Sequence, residues 1–251
     1  MKEIPFFAKV DKEKVFGIFT QGKEKFPLLV LVHGWGGHHL GTWNRSFVLA
    51  SRFFAKKGFN VVRFDFRGCG NSEGNFRDQT ITSNIKYLKA VIKYCLKNFH
   101  LSKKIVLIGH SQGFYVSMFA CKTIKFVKGL VSWMGRVSDL NEFLSKVRLE
   151  ELKRRKILEE FDYYVLSEKY LKDSMKYNSS KLIKQLTLPV LLIYGERDNI
   201  VPVCEGLKFK RLKKKNVTLK IIRELNHHFE GEKVRKKVFN LTYKWIVEHC
   251  R

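Results

Sequence analysis

The residue of this sequence that is best suited to chemistry is a serine in a short, glycine-flanked pattern. Gly109-His110-Ser111-Gln112-Gly113 follows the apolar run Ile105–Ile108 and precedes a helical pattern over Phe114–Lys122. A G-x-S-x-G pattern between a strand and a helix is typical of a sharp turn that exposes the serine hydroxyl above a sheet edge. The following helix directs its positive end at that hydroxyl. The pattern therefore predicts that Ser111 is a nucleophile.

A serine nucleophile needs a base, because an unaided hydroxyl reacts poorly. The base expected here is a histidine oriented by a carboxylate. Of the histidines after Ser111, His227 and His228 follow the last predicted strand, Thr218–Ile222, whereas His249 ends the last helical pattern and reads most simply as a surface residue. The residues alone leave His227 and His228 both open as the base.

The carboxylate that would orient this histidine is expected in the loop after the strand Pro189–Tyr194. That loop reads Gly195-Glu196-Arg197-Asp198-Asn199-Ile200-Val201-Pro202. Asp198 is favoured, because Glu196 lies nearer the strand and earlier in the loop. The chain order Ser, Asp, His is one of the orders known for such catalytic triads.

Acyl transfer also requires donors for an oxyanion, commonly two backbone N–H groups. The residue after the nucleophile, Gln112, supplies one in this interpretation. The loop His33-Gly34-Trp35-Gly36-Gly37, which follows the apolar run Leu28–Val32, supplies the other through Trp35. The alternative for this loop is a glycine turn that serves only to reverse the chain.

Three other features carry weaker signals. The run Asp65–Gly74 is glycine-rich but lacks the Lys-Ser/Thr of a phosphate-binding loop, so we interpret it as a structural loop bordering the site. His38 and His39 have no third metal ligand at usable spacing. The five cysteines are scattered without CxxC spacing, which favours buried, reduced thiols over a disulfide framework or a zinc site. No cofactor or metal is predicted.

Apolar, strand-like runs alternate with helical patterns along most of the chain. Such alternation predicts an α/β fold with a mostly parallel sheet that carries helices on both faces. Right-handed crossovers then place the strand-to-helix loops at one edge. Strands are predicted at Ile4–Val10, Val15–Thr20, Leu28–Val32, Val61–Phe66, Ile105–Ile108, Leu130–Trp133, Pro189–Tyr194 and Thr218–Ile222, and helices at Trp43–Lys57, Thr80–Asn98, Phe114–Lys122 and Val234–Glu248.

Residues 136–185 interrupt this alternation of strands and helices, because about fifty residues are too many for a plain connection. The segment is predicted to be a cap insertion over the active site, with an aromatic-lined pocket; the alternative is a surface insertion with its own small core. We expect a single domain over residues 1–251. The apolar side chains that favour a cap are Leu140, Phe143, Leu144, Val147, Leu158, Phe161, Tyr163, Tyr164, Val165, Leu166, Tyr170 and Leu171.

The positive net charge is compatible with an anionic partner but does not identify one. The 251 residues carry a formal net charge of +26, spread along the chain and supplied mostly by lysine. Arginine would be the better sign of bidentate phosphate recognition. The densest run, Lys208–Lys215, is either an anion-binding patch or a solvated helix face and loop, and the second interpretation is favoured. We therefore predict no specific nucleic-acid partner.

The hydropathy of the sequence predicts neither a membrane helix nor a signal peptide. No apolar run approaches the roughly 18 residues of a membrane helix, and the first residues, MKEIPFFAKVDKEK, lack the apolar region and cleavage site of a signal peptide. The expectation is a cytoplasmic protein without a membrane span.

Taken together, HGWGG, DFRGCGNSEG, GHSQG, GERDNIVP and NHHFEG resemble, in order and spacing, the α/β-hydrolase-fold serine hydrolases. The resemblance covers about residues 14–248. It is closest to short-cap esterases, namely the cinnamoyl/feruloyl-esterase-like group and the monoglyceride-lipase and serine-aminopeptidase-like group. Two departures are Phe114, where a further glycine is frequent, and the paired histidines at 227 and 228.

The resemblance implies a role for each matching residue. Ser111 is the nucleophile, Asp198 the acid and His227 the base, since that group's pattern around the histidine favours His227 over His228. The backbone N–H groups of Trp35 and Gln112 form the oxyanion hole. Relatives that are epoxide hydrolases or dehalogenases are excluded, because they use an aspartate where Ser111 stands.

The predicted function is hydrolysis of carboxylic esters, with short or medium acyl chains or aryl groups, through an acyl-enzyme. The partner is a small-molecule ester, and apolar cap residues could also serve a homodimer. Two alternatives remain open: a peptidase or thioesterase with the same triad, because function lies in the pocket, and a non-catalytic polyanion-binding protein on a hydrolase fold.

Overall fold

A computed structural model describes residues 2–23, 26–144, 150, 154, 157–160, 164–213 and 215–250. These residues form strands and α-helices that alternate along the chain. The strands are β1 (Glu3–Val10), β2 (Glu13–Thr20), β3 (Leu28–Val32), β4 (Asn60–Phe64), β5 (Ile105–His110), β6 (Val127–Trp133), β7 (Ile157–Glu160), β8 (Tyr164–Ser167), β9 (Val190–Gly195) and β10 (Val217–Ile222). The helices are α1 (Ser46–Lys56), α2 (Ile81–Asn98), α3 (Gln112–Ala120), α4 (Leu140–Phe143), α5 (Glu168–Ser174), α6 (Ser179–Gln185), α7 (Val203–Leu212) and α8 (Glu232–His249).

Eight strands form one sheet in the order β1-β2-β4-β3-β5-β6-β9-β10. The β1–β2 and β2–β4 pairs are antiparallel, and the pairs from β4 to β10 are parallel. In the parallel part all carboxyl ends therefore lie at one edge. The predicted α/β class with a mostly parallel sheet is confirmed.

Helices cover both faces of this sheet, as the continuous apolar strands predicted. Alternate residues of β3 show the division, because successive side chains of a strand point to opposite faces. Leu28 and Val30 belong to one buried cluster, which α2 and α3 also line with residues such as Leu88. Leu29 and Leu31 belong to the other, with Phe54 of α1 and helix α8. The helix layers on the two faces thus fix the sheet edge at which the parallel strands have their carboxyl ends.

Several element boundaries differ from the sequence prediction. Helix α1 begins at Ser46 and not at Trp43, because Arg45 has φ 59° and the Arg45 N–H donates to Thr42 O in a turn. Strand β4 ends at Phe64, two residues early. Helix α3 begins at Gln112, directly after the serine. Helix α7, which contains part of the predicted charge run, was not delimited from the sequence.

The described part of the segment 136–185 carries secondary structure of its own. Strands β7 and β8 pair as an antiparallel two-stranded sheet, and α4, α5 and α6 are short helices. Val147, Phe161 and Tyr163, which helped to predict a cap, lie outside the described residues. No helix in the described ranges has the length and apolar character to cross a membrane. The cysteines are free, but only Cys69, Cys95 and Cys250 are buried, and Cys204 is exposed.

Candidate active site

Ser111 lies alone between β5 and α3, in the sharp turn that the sequence predicts. Its backbone has φ 53° and ψ −127°, a conformation that costs energy for a residue with a side chain and that is characteristic of a strained nucleophile turn. The two flanking glycines are required by close approach. A Cβ at Gly109 would lie 2.3 Å from Phe114 Cα, and one at Gly113 would lie 2.1 Å from Val32 O.

The departure at Phe114 is accommodated by a second glycine on the facing loop. Phe114 is fully buried, and a Cβ at Gly135 would lie 2.4 Å from the Phe114 Cβ. The absent side chain at Gly135 therefore leaves the space that the phenylalanine occupies. The turn at Ser111 keeps its strained geometry with the large residue in place.

The loop after β3 approaches Ser111 closely. A Cβ at Gly34 would lie 2.7 Å from Ser111 Cβ and 3.2 Å from its Oγ. The next residues form a turn in which the Gly37 N–H donates to Gly34 O and Gly36 has φ 60°. Within the described part of the chain, neither the Trp35 N–H nor the Gln112 N–H donates to a protein acceptor. Both groups are thus free to donate to a ligand.

His227 and Asp198 form a buried pair. The His227 Nδ1 and the Asp198 Oδ2 are 2.8 Å apart, and both side chains are at least nine-tenths buried. The other carboxylate oxygen, Oδ1, accepts the backbone N–H groups of Ile200 and Val201 at 2.9 and 2.8 Å. These bonds fix the carboxylate, which in turn holds the imidazole. Glu196, the alternative acid, is exposed.

His228 does not take the same position as His227. Its carbonyl oxygen accepts hydrogen bonds from the Asn44 side-chain amide at 2.6 Å and the Thr42 hydroxyl at 3.1 Å. Burial and the neighbouring His227 lower the pKa of its ring. Of the two histidines that the residues alone left open, His227 is the one that is hydrogen-bonded to Asp198 among the described contacts. His249 is exposed at the end of α8, as expected.

One cavity of about 420 Å³ brings these residues together at the carboxyl edge of the sheet. Ser111, Gln112, Trp35 and His227 line it, whereas Asp198 stands behind His227. The Ser111 hydroxyl makes no hydrogen bond to any described residue, and Ser111 is a partly exposed residue that lines the cavity. The segment 136–185 contributes one wall of the cavity, through Arg136, Leu140, Phe143, Leu144, Leu166 and Tyr170.

The glycine-rich loop after β4 braces the loop after β3, which agrees with the structural role expected for it. Asp65 accepts from the His39 backbone N–H and from Asn71 N–H, and it contacts the His39 ring at 2.9 Å. Despite burial, these bonds lower the pKa of Asp65. Across the described ranges, no three His, Cys, Asp or Glu side chains are grouped so as to hold a metal ion.

His33 is held as a neutral ring at the base of the same loop. Its Nε2 accepts the Phe66 N–H at 2.9 Å, so its Nδ1 carries the proton and donates to Gly34 O at 2.8 Å. Burial lowers the pKa of His33 to about 4. This tautomer satisfies both ring nitrogens, and it anchors the residue that packs on Ser111.

Sequence reasoning missed three contacts of this site. The His110 Nε2 lies 2.9 Å from His227 O, and the Gln112 side-chain amide donates to the Tyr170 hydroxyl at 2.7 Å. The third is Arg136, whose backbone N–H donates to Ser111 O at 3.0 Å. The only sequence signals were the x positions of G-x-S-x-G and a charged residue three positions after the end of β6, and neither signal identifies a contact.

The family model described as the prolyl oligopeptidase family matches residues 45–251, which is most of the chain. The chain belongs to the prolyl oligopeptidase family. Ser111, helix α3 and the Asp198–His227 pair all fall within the matched residues. The loop with Trp35 precedes them, and it comes from the part of the chain before residue 45.

The chain is also similar to curated relatives and to a solved structure. It is 24% identical to the acylamino-acid-releasing enzyme of Mus musculus over 90% of its own length and 32% of that protein. It is 26% identical to esterase EstD of Thermotoga maritima, over 91% and 64%. The chain thus spans a third to two thirds of these relatives. Est1E from Butyrivibrio proteoclasticus with bound ferulic acid superposes with a TM-score of 0.81 at 22% identity, covering 97% and 98% of the two chains, and it confirms the α/β-hydrolase fold.

Proposed function

We propose that this protein is a serine hydrolase that cleaves carboxylic esters through an acyl-enzyme. The observation that carries the proposal is the Asp198–His227 hydrogen bond behind a cavity that Ser111 also lines. Two free backbone N–H groups, those of Trp35 and Gln112, accompany it. A nucleophile, an oriented base and oxyanion donors are the three parts that acyl transfer requires.

In the proposed acylation step, the Ser111 Oγ attacks the ester carbonyl carbon while the His227 Nε2 takes the hydroxyl proton. Asp198 accepts from the Nδ1–H, so it selects the tautomer with a free Nε2 and stabilises the imidazolium that forms. The carbonyl oxygen becomes an oxyanion that the Trp35 and Gln112 N–H groups receive. His227 then protonates the leaving alcohol as the carbon–oxygen bond breaks.

Deacylation repeats the step with water. His227 takes a proton from the water, whose oxygen attacks the acyl carbon, and the tetrahedral intermediate again places its oxyanion between the two N–H groups. The collapse returns the proton to Ser111 Oγ and releases the carboxylic acid. The hydrogen bond between Ser111 and His227 that this mechanism uses is expected to form when substrate binds, because catalytic hydrogen bonds commonly shorten only in the substrate complex.

The walls of the cavity favour an ester with a short or medium acyl chain or an aryl group. Leu140, Phe143, Leu144 and Leu166 give an apolar wall, and Trp43 stands at the rim with most of its side chain exposed. We extend the proposal to residues 136–185 as the cap that forms this wall. A cavity of about 420 Å³ falls in the usual range for small-molecule sites.

An amide or thioester hydrolase with the same residues is the second candidate. Membership of the prolyl oligopeptidase family and the likeness to an acylamino-acid-releasing enzyme favour an amide substrate, while the likeness to esterase EstD favours an ester. The triad chemistry is the same for each, and the leaving group distinguishes them.

Polyanion binding without catalysis is the third candidate. Three lysines of the basic run contact protein oxygens: Lys208 binds Ser138 Oγ, Lys210 binds Val217 O, and Lys213 binds Leu186 O. These contacts favour a structural role for much of the run. Lys214 lies outside the described residues.

Steady-state kinetics on three substrates with the same N-butanoylalanyl acyl group test the proposal: an aryl ester, a thioester and an anilide. We expect the highest kcat/KM for the ester, and a loss of at least about 10³-fold in Ser111→Ala. A higher kcat/KM for the thioester or the anilide would move the assignment to the second candidate. Turnover that survives Ser111→Ala would contradict the mechanism. No turnover, combined with heparin binding that falls steeply with salt, would favour the third candidate.

A further inference from the structure

We propose that Arg136 binds a free carboxylate on the substrate, so that the preferred esters are anionic. The inference rests on the proposed function and names the substrate class of the same site. Arg136 follows β6 at the start of the segment 136–185, and it lines the cavity that contains Ser111.

The guanidinium of Arg136 is buried but incompletely bonded. The residue is 4% exposed, and its single protein hydrogen bond from the side chain joins Nη1 to Ser138 O at 3.1 Å within the described ranges. Its Nη2 is buried without a partner. The Cζ of Arg136 lies 4.1 Å from the centroid of the Tyr115 ring, a stacking contact that uses none of the guanidinium N–H donors. The side chain therefore holds at least one donor that no described residue pairs with.

No carboxylate among the described residues forms an ion pair with Arg136. No described Asp or Glu lies within 4.0 Å of the Arg136 side-chain nitrogens. The two acidic residues nearby in the sequence and fold are bonded elsewhere. Asp139 accepts from the Tyr115 hydroxyl and the Ser179 N–H, and Glu205 accepts from backbone N–H groups of residues 137 and 138.

The described lining of the cavity carries a net positive charge. Of its described lining residues, Arg136 alone is permanently charged, and none is acidic. The indole Nε1–H of Trp35, another lining residue, is also buried without a partner. A buried charge without a counter-ion is costly, and a ligand that supplies the counter-ion recovers that cost on binding.

A carboxylate is the ligand group that fits this arginine best. The planar fork of a guanidinium matches the two oxygens of a carboxylate, which gives two parallel charge-assisted hydrogen bonds. Leu140, Phe143 and Leu144 line the same cavity, so a methylene chain between the carboxylate and the ester has apolar contacts. The net charge of +26 attracts anionic substrates to the protein over longer distances.

Matched anionic and neutral esters test the inference and show which side of the ester carries the carboxylate. Monomethyl adipate is compared with methyl heptanoate for the acyl side, and 6-acetoxyhexanoate with heptyl acetate for the alcohol side. We expect kcat/KM to favour the anionic member in at least one pair. Arg136→Met is expected to lower that anionic kcat/KM by roughly 10–100-fold, the usual effect of losing hydrogen bonds to a charged group, with little change for the neutral ester.

Two further variants control for charge and folding. Arg136→Lys keeps the charge but removes the fork, so its anionic preference should be intermediate. Arg211→Met removes an equal charge from an exposed position on α7 and should leave every ratio unchanged. A neutral fluorophosphonate should label Arg136→Met at the rate of the unmodified protein if the turn at Ser111 is intact. If Arg136→Met does not fold, Arg136→Lys and the unmodified protein carry the comparison.

The two proposals fail in different ways. Equal kcat/KM for both members of each pair in the unmodified protein, or an anionic preference that Arg136→Met and Arg136→Lys retain, would overturn the role of Arg136 and leave the ester hydrolase intact. Turnover of no ester, neutral or anionic, would count against the proposed function and the role of Arg136 together.

Discussion

The ring of His110 donates its Nε2–H to the carbonyl oxygen of His227 at 2.9 Å. A carbonyl oxygen only accepts, so the contact fixes the tautomer of His110, and the two imidazole centroids lie 4.6 Å apart. Burial, with His227 as its neighbour, lowers the pKa of His110 well below its ordinary value, so the ring stays neutral. The residue before the proposed nucleophile thus holds the backbone of the proposed base.

His110→Phe tests this contact as a positioning bond. The ring volume is retained, but the donor to His227 O is lost, so the loop with the base is less well fixed. We expect kcat to fall roughly 10–100-fold with KM nearly unchanged, because small displacements of a catalytic group have effects of that size. Steady-state kinetics on the aryl ester provide the measurement.

The matched variant is His110→Gln, which places an amide donor near the same carbonyl. Partial recovery of kcat in His110→Gln relative to His110→Phe is expected if the hydrogen bond positions His227. Equal kcat in the two variants, each with an unchanged melting temperature, would show that the ring contributes packing alone.

Asp198→Asn tests the orientation of the imidazole. The amide keeps the volume and the bonds to Ile200 and Val201, but it removes the charge and favours the wrong tautomer of His227. By analogy with serine hydrolase triads in general, kcat should fall about 10⁴-fold. Glu196→Gln, two residues away and exposed, is the control and should retain full kcat. The reverse pattern would assign the acid to Glu196.

Gly34→Ala tests how closely the loop after β3 packs on the nucleophile. The added methyl would lie 2.7 Å from Ser111 Cβ, so either the serine or the loop with Trp35 must move. We expect kcat to fall by at least about 10²-fold, the usual effect of losing one oxyanion donor. At Gly37 the nearest atom to an added methyl is 3.1 Å away, on the His33 ring, so Gly37→Ala should be much milder. Similar kcat for both variants would contradict the proposed packing.

Stability should depend on pH through the buried neutral histidines. His33 has a pKa of about 4 in the folded protein against an ordinary value of 6.5. Between these pH values the unfolded chain binds more protons than the folded protein, so the free energy of unfolding rises with pH from about 4 to 6.5. The contribution of His33 to stability is lost as the pH falls through that window. From pH 7 to pH 5, His33 should account for a loss of about 2 kcal/mol.

Urea unfolding at pH 7 and pH 5 measures this loss, to which His110 adds in the same direction. His33→Gln should be less stable at pH 7 but lose less stability on acidification than the unmodified protein. The control is His100→Gln, at an exposed histidine, and its pH dependence should match that of the unmodified protein. An unchanged pH dependence in His33→Gln would contradict the neutral, buried state of His33.

The sequence predicts the strands of the sheet and the loops at their ends well, because these elements depend on local signals. The apolar run Leu28–Val32 is a strand with those same bounds, since all five of its side chains are buried between helix layers. The serine turn, Asp198 and His227 each follow a strand, and parallel strands must end at one edge. The assembly of these residues could therefore be predicted without coordinates.

The remaining parts of the site depend on contacts between residues far apart in the chain. Nothing near His110 indicates that its ring reaches the carbonyl of residue 227, or that Phe114 fits because Gly135 lacks a side chain. Arg136 could not be distinguished from a surface arginine, because its burial depends on Tyr115 and on the segment that follows it. The start of α1 was misplaced because Arg45 adopts a left-handed turn that the apolar periodicity does not report.

The central claim is that Ser111 is a nucleophile activated by His227. A fluorophosphonate probe reacts with such a serine without any choice of substrate, and peptide mass spectrometry locates the adduct. The account predicts one adduct on Ser111, no adduct in Ser111→Ala, and labelling of His227→Ala slowed by at least about 10³-fold. A folded protein that is not labelled, or that is labelled at Ser111 equally fast in His227→Ala, would contradict it.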